Sequence, residues 1–253
     1  IFLLIGCLSW DQQVSTLTFI QMCDPQIGMG GYEEDIIRLD QAVNKANALG
    51  TDFVIVCGDL VHHAHDSAYD DFEAAINQLK MPYLLAPGNH DLGNIPSDSA
   101  LRAYRARLGK DYFVSHHEQV SMVVINTQLI KQNVPIESDR QMKWIAATLD
   151  SLSSTQQKVF VMGHYPLFTK EVNEEENYFN LPETQRTELL QLFESYGVGA
   201  YLSGHKHELL VNEHAGILLV SGETTSKNFD QRPFGFRQWT IGRLSIKHEF
   251  IPL

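Results

Sequence analysis

Phe53-Val54-Ile55-Val56-Cys57-Gly58-Asp59 decides how the rest of the chain is read. An apolar run with no polar break, closed by a glycine and a carboxylate, is the pattern of a buried strand whose end opens into a polar crevice. The pattern recurs on either side. Thr16 to Met22 ends at Asp24-Pro25-Gln26, and Tyr83-Leu84-Leu85-Ala86 leads to Gly88-Asn89-His90-Asp91. Lys158 to Met162 leads to Gly163-His164-Tyr165-Pro166, and Ala200-Tyr201-Leu202 to Gly204-His205-Lys206-His207. Loops beyond the strand ends at one edge of a sheet share a crevice, so these side chains are expected to converge although remote in sequence. All but the first cluster open with a glycine, which permits a tight turn.

Amphipathic stretches separate the strands. Glu33 to Leu49 has Ile36, Leu39, Val43 and Ala46 at three- and four-residue steps, acidic residues in its first turn and Gly50 as a stop, and so predicts a helix. Further helices are expected over Tyr69 to Lys80, from a Ser138 cap through Met142, Ile145, Leu149 and Leu152, and over Glu183 to Tyr196. Ser121 to Asn126 is another strand. From Ala200 onward strands dominate, over Leu209 to Asn212, Ile217 to Val220, Gln238 to Ile241 and Leu244 to Phe250. The order predicts an α/β fold of two packed sheets with helices outside.

The 253 residues are 43% hydrophobic and 20% charged, which fits a soluble globular chain and excludes a disordered or fibrous one. With no linker and no repeat, one domain is expected over 12–253. Residues 1–11 open on Ile1-Phe2-Leu3-Leu4-Ile5-Gly6-Cys7 and are expected to be a truncated export signal. Leu4 to Cys7 resembles a lipoprotein cleavage box that would put a lipid anchor on Cys7; an ordinary signal peptide or a first buried strand fits the same residues. The expected location is exported, whether periplasmic, membrane-anchored or secreted, with a cytoplasmic one left open. Lys+Arg 19 against Asp+Glu 31 gives a net charge of -12, so duplex nucleic acid is not an expected partner. Three cysteines are too few for a disulfide scaffold, and Cys23 and Cys57 are expected as small core residues.

The mixture of carboxylates, imidazoles and amide oxygens suits divalent ions such as Mn, Fe, Zn or Mg, where a thiolate set would suggest structural zinc. Two such ions need an anionic bridge, which one aspartate supplies with its two oxygens. A bound pair lowers the pKa of water and clamps the attacking and leaving oxygens of a phosphoryl displacement, so phosphate-ester hydrolysis is the leading reaction.

Taken in order from Asp24 to His207, these blocks resemble the calcineurin-like metallophosphoesterases. The resemblance implies a four-layer αββα sandwich of two mixed β-sheets flanked by helices, with a dinuclear centre at one end, Mn or Fe favoured. Carried over by position, it implies that Asp24, Gln26, Asp59 and His207 hold one metal. Asp59, Asn89, His164 and His205 would hold the other, with Asp59 as the bridge. It further implies that His90 contacts the phosphate and protonates the leaving alkoxide, that Asp91 orients the His90 ring, and that Asn89 also meets the substrate. The family commonly has histidine where this chain has Gln26, a poorer donor to transition metals. Asp24-Pro25-Gln26 and the tail Gln231 to Arg237 resemble one subgroup, that of calcineurin-like phosphoesterase domain-containing protein 1. That likeness implies a phosphomonoesterase acting on a phosphorylated small molecule or protein.

Other polar residues carry two readings. His62, His63 and His65 either rim the pocket or lie in a solvated loop with Asp66, and His116-His117 and the acidic stretch Glu171 to Glu176 are expected on the surface. Arg237, ahead of Arg232, is the expected cation toward substrate. A phosphodiesterase acting on cyclic nucleotides or lipid headgroups, and a non-catalytic relative in which Gln26 has cost one metal, remain as alternatives.

Overall fold

Alternation along the strands sorts the side chains into layers. The computed structural model describes residues 16–253, and the expected export segment, Cys7 included, lies outside them. The first half contains β1 (Leu17–Met22), α1 (Tyr32–Leu49), β2 (Phe53–Cys57), α2 (Asp66–Ile76), β3 (Tyr83–Ala86), α3 (Asn89–Leu92), α4 (Asp98–Leu108), β4 (Phe113–His116), β5 (Val120–Val124) and α5 (Thr127–Gln132). It continues through α6 (Glu137–Ser153), β6 (Lys158–Met162), α7 (Glu183–Ser195), β7 (Val198–Ser203), β8 (Leu210–His214), β9 (Ile217–Ser221), β10 (Gly235–Ile241) and β11 (Ile246–Pro252).

The strands form two mixed sheets, ordered β11-β10-β1-β2-β3 and β4-β5-β6-β7-β9-β8. Along β1 and β2, Ile20, Met22, Val54 and Val56 face α1 and α2, whereas Phe19, Phe53, Ile55 and Cys57 face the other sheet. Along β5 and β6, Met122, Val124, Phe160 and Met162 fill the same inter-sheet layer, while Val123, Val159 and Val161 turn outward to α6 and α7. The result is the four-layer αββα sandwich. Phe19 anchors the central layer, stacked on Phe53 at 4.9 Å and on Trp239 at 5.7 Å between ring centroids. Gln21 crosses it: it accepts from Trp239 Nε1 at 3.0 Å and donates to the Ser203 and Val220 carbonyls at 3.0 and 3.1 Å, so its buried amide is satisfied across the two sheets.

Several boundaries differ from expectation. Ser138 lies inside α6 and donates its hydroxyl to the Leu129 carbonyl at 2.7 Å, so it ties α6 to α5 and caps nothing. The second helix starts at Asp66 and ends at Ile76, where the chain relaxes into i→i+3 turns from Gln78 and Leu79. The last strand begins at Ile246, after a turn in which Gly242 donates to the Ser245 carbonyl and leaves Leu244 95% exposed. His117 is half-buried, its ring stacked on Phe53 at 3.6 Å.

β1, β2 and β3 run parallel, as do β5, β6, β7 and β9 in the second sheet. Their carboxyl ends open the loops that carry the polar clusters, and the two sheets bring those loops to one edge.

Candidate metal centre

Asp24, Gln26, Asp59, Asn89, His164, His205 and His207 are each at most 4% exposed, and they gather at this edge. Asp24, Asp59 and His207 offer ligand atoms within 4.8 Å of one another, and so do Asp59, His164 and His205. Asp59 belongs to both groups. The geometry follows from the strand-end loops, which hold these side chains in costly backbone conformations. Asp24 (φ 48), Gln26 (φ 34), Asp59 (φ 49), His205 (φ 68) and His207 (φ 54) all lie in the left-handed region, at roughly 1–3 kcal/mol each. Bonds between the loops hold them there. The Gln26 amide donates to the Asp59 carbonyl at 2.8 Å, the His205 amide donates to both Asp24 carboxylate oxygens at 3.0 Å, and Thr224 Oγ1 donates to the Asp24 carbonyl at 3.0 Å.

Glycine serves close approach as well as turning. A Cβ on Gly88 would lie 2.1 Å from Asp59 Oδ1, and one on Gly204 would lie 2.5 Å from Asp24 Oδ2. Both carboxylates sit in space that only a missing side chain leaves.

Each histidine spends one ring nitrogen on a backbone carbonyl. His164 Nδ1 donates to Cys57 O at 2.8 Å, His205 Nε2 to Tyr178 O at 3.1 Å, and His207 Nδ1 to Lys227 O. The other nitrogen is thereby directed at the cluster, which is how metal-binding imidazoles are oriented. His164 Nε2 faces Asp59 Oδ2 at 3.2 Å, Asn89 Oδ1 at 3.1 Å and His205 Nδ1 at 3.0 Å. His207 Nε2 lies 3.5 Å from Asp24 Oδ1. The Asn89 amide is set by its donors, since Nδ2 gives hydrogen bonds to Asn94 Oδ1 at 3.2 Å and Tyr178 Oη at 3.3 Å and Oδ1 is left facing His164. Lone pairs converging on one point need a proton or a cation between them.

The charges say the same. Burial works against a charge on His164, but the Asp59 and Asp24 carboxylates outweigh it and push the imidazole up to about 9. Burial works to raise Asp59, yet His164 outweighs it and holds that carboxyl below its ordinary value. Asp24 is raised, burial outweighing the pull of His207 and His164. Gln26 Oε1 is buried with no hydrogen-bond partner among the described residues, an orphaned acceptor. Carboxylates, directed imidazole lone pairs, the Asn89 amide oxygen facing His164 and the unpartnered Gln26 amide oxygen fit a pair of divalent cations. Asp24, Gln26, Asp59 and His207 would hold one, and Asp59, Asn89, His164 and His205 the other. Gln26→His is expected to tighten Mn binding at the first position; unchanged affinity in a metal titration would remove residue 26 from the ligand set.

Two expected roles are corrected. Asp91 does not orient the His90 ring: its carboxylate accepts from the Gly88 amide at 2.8 Å, the Leu60 amide at 3.1 Å and the Tyr69 hydroxyl at 3.3 Å. It closes the turn behind the site, where burial and then the charge of Asp59 push it up to about 7. His90 Nδ1 instead donates to His62 O at 2.8 Å, and the His90 amide donates to Asp59 Oδ1 at 2.9 Å. Arg237 is not a spare cation. It is 6% exposed, pairs with Glu223 at 2.8 Å and packs Nη1 against His248 Nδ1 at 2.6 Å, so its charge is already neutralised.

Sequence reasoning missed three supports. Thr127 Oγ1 accepts from the His164 and Tyr165 amides at 3.1 Å, and the signal was present, because Asn126-Thr127 is itself a polar pair closing a strand. Tyr178 reaches Asn89 and lies 4.9 Å from the His205 ring, but it sits in a polar loop that gives no sign of this. Its loop is more than a solvated acidic stretch. Glu174 accepts from the Thr169, Lys170 and Glu171 amides and from Asn180 Nδ2, and Arg186 and Lys131 donate to carbonyls of the same loop. Burial disfavours the Glu174 charge, but those hydrogen bonds prevail and hold its carboxyl down at about 2.

Comparison with known proteins places these features in a family. The family described as Calcineurin-like phosphoesterase matches residues 2–209. A serine/threonine-protein phosphatase CPPED1 from Danio rerio is 30% identical over 92% of this chain and 83% of its own length. A probable cyclic nucleotide phosphodiesterase from Vesicomyosocius okutanii is 21% identical over 92% of this chain and 99% of its own. Among solved structures, a dimetal phosphatase from Danio rerio superposes with a TM-score of 0.69 at 15% identity, covering 92% of this chain and 98% of that one, and shares the fold.

Proposed function

The chain belongs to the calcineurin-like phosphoesterase family, and from that membership we propose that it hydrolyses phosphate monoesters, phosphoproteins among them, with Mn or Fe in its two metal positions. The observation that carries this reading is the sharing of Asp59 between two buried ligand groups. The relative named a serine/threonine-protein phosphatase supports the monoester class. When bound, a cation pair supplies a water of lowered pKa and neutralises charge on the phosphoryl oxygens. The protein's own groups do the rest. Asp24 and Asp59 supply the negative charge that holds the cations, and the three carbonyl-anchored imidazoles fix where they sit.

His90 is the proton donor in this reading. Its Nδ1 is committed to the His62 carbonyl, its Nε2 has no hydrogen-bond partner among the described residues, and its ring is half-buried at the mouth of the site. That nitrogen can hand a proton to the leaving alkoxide. His90→Asn is expected to lower kcat by roughly a hundredfold to ten-thousandfold with the metal content unchanged. A rate equal to the parent's would take His90 out of the reaction.

The Mn-loaded protein is expected to release p-nitrophenol from p-nitrophenyl phosphate faster than from bis-p-nitrophenyl phosphate. The second reading, a phosphodiesterase, is favoured by the relative named for cyclic nucleotides, and it predicts the reverse order. Release from neither substrate under Mn, Fe, Zn or Mg would overturn both.

A further inference from the structure

The loop that carries Asp24 and Gln26 and the loop that carries Asp59 are zipped together by their backbones. Gln26 donates to Asp59 O at 2.8 Å, Ile27 to Leu60 O at 3.4 Å, and His62 back to Ile27 O at 3.0 Å, with an isolated parallel bridge between Ile27 and Val61. This ladder sets the His62 side chain opposite that of Gln26. Gln26 Nε2 lies 3.4 Å from His62 Nδ1, a long hydrogen bond, while Gln26 Oε1 is buried and has no partner among the described residues. The imidazole is itself held in place. Its ring stacks on His90 at 4.7 Å and 26°, and lies 4.3 Å from the His63 ring.

An amide has two faces of opposite polarity, and only the oxygen can bind a cation. A ligand glutamine therefore needs a partner for its NH2 group that fixes which face looks inward. We infer that His62 is a positioning residue for Gln26: its Nδ1 accepts from Gln26 Nε2 and so holds Oε1 toward the first metal position. The inference rests on the proposed two-metal reading, and it gives the loop histidine a role that neither pocket rim nor solvated loop describes. The glutamine comes with a neighbouring acceptor that orients it, as carbonyls orient His164, His205 and His207.

The test is calorimetric titration of the metal-stripped full chain with Mn, for the parent, His62→Phe, His62→Asn, Gln26→Ala and the double variant His62→Phe with Gln26→Ala. Phenylalanine keeps a ring to stack on His90 but has no acceptor; asparagine restores a polar acceptor near the Nδ1 position. His62→Phe is expected to weaken one of the two Mn sites by roughly tenfold to a hundredfold and leave the other unchanged. His62→Asn should recover most of that loss, and in the Gln26→Ala background His62→Phe should have no further effect. Thermal melts of the stripped variants within a few degrees of the parent separate this from misfolding.

Equal affinities for the parent and His62→Phe, a loss that His62→Asn does not recover, or a loss of the same size without Gln26 would each overturn the inference while leaving the two-metal reading intact. A parent chain that takes up no Mn would overturn that reading, and the inference with it.

Discussion

Asp59→Asn is expected to lose both cations and to lower the rate of phosphate release by about a thousandfold or more, a larger loss than the hundredfold that the removal of an outer partner brings. The substitution keeps the shape of the side chain. One oxygen can still accept the His90 amide, which lies 2.9 Å from Oδ1, so the turn that follows β3 survives. What goes is the charge common to both ligand groups. His164, held up at about 9 by Asp59 first among its neighbours that raise it, would lose its main attraction for a positive charge alongside. Metal analysis after gel filtration and a monoester assay read the two effects separately. Two ions per chain together with a rate within tenfold of the parent would show that Asp59 is not the bridge.

Gly88→Ala is expected to have the next largest effect, and for a steric reason alone. Gly88 has an ordinary φ of -108, so alanine meets no backbone strain there. Its Cβ, however, would sit 2.1 Å from Asp59 Oδ1 and 2.3 Å from the Asp59 backbone nitrogen. A carboxylate can rotate away from a methyl group; a backbone nitrogen inside a two-loop ladder cannot. Overpacking of this kind costs about 1–3 kcal/mol, which for a chain of this size lowers Tm by roughly 2–12 °C. Displacing the Asp59 carboxylate should also weaken Mn binding at both positions. A parent-like melt and parent-like Mn affinity would mean that the close approach has been overstated.

The strands were legible because a strand buried on both faces must be apolar throughout, as Phe53–Cys57 and Lys158–Met162 are apart from an end residue. The converging polar residues were legible because polar side chains placed directly after such strands all belong to one crevice. α4 and β4 leave little trace in the sequence. α4 buries only Leu101 and Tyr104, and no residue of β4 is fully buried, so neither writes a hydrophobic period into the sequence.

The supporting shell was less legible still, because it is built largely of backbone groups. The carbonyls of Cys57, Tyr178 and Lys227 turn the histidines, and a carbonyl leaves no mark on residue identity. The same reason explains the misplaced role of Asp91. Adjacency to His90 suggested a carboxylate–imidazole pair, whereas the turn's own amides claim the carboxylate and the His62 carbonyl claims the ring. Arg237 looks like a free cation in the sequence because its partner Glu223 lies on a separate loop after β9.

The proposed chemistry depends on two cations sharing one carboxylate. Crystals of the Mn-loaded protein, measured at the Mn absorption edge, test it most directly. Two anomalous peaks about 3.5–4 Å apart are expected, one on either side of the Asp59 carboxylate. One of them would adjoin Asp24, Gln26 and His207, the other Asn89, His164 and His205. A single peak, or two peaks of which only one touches Asp59, would contradict it.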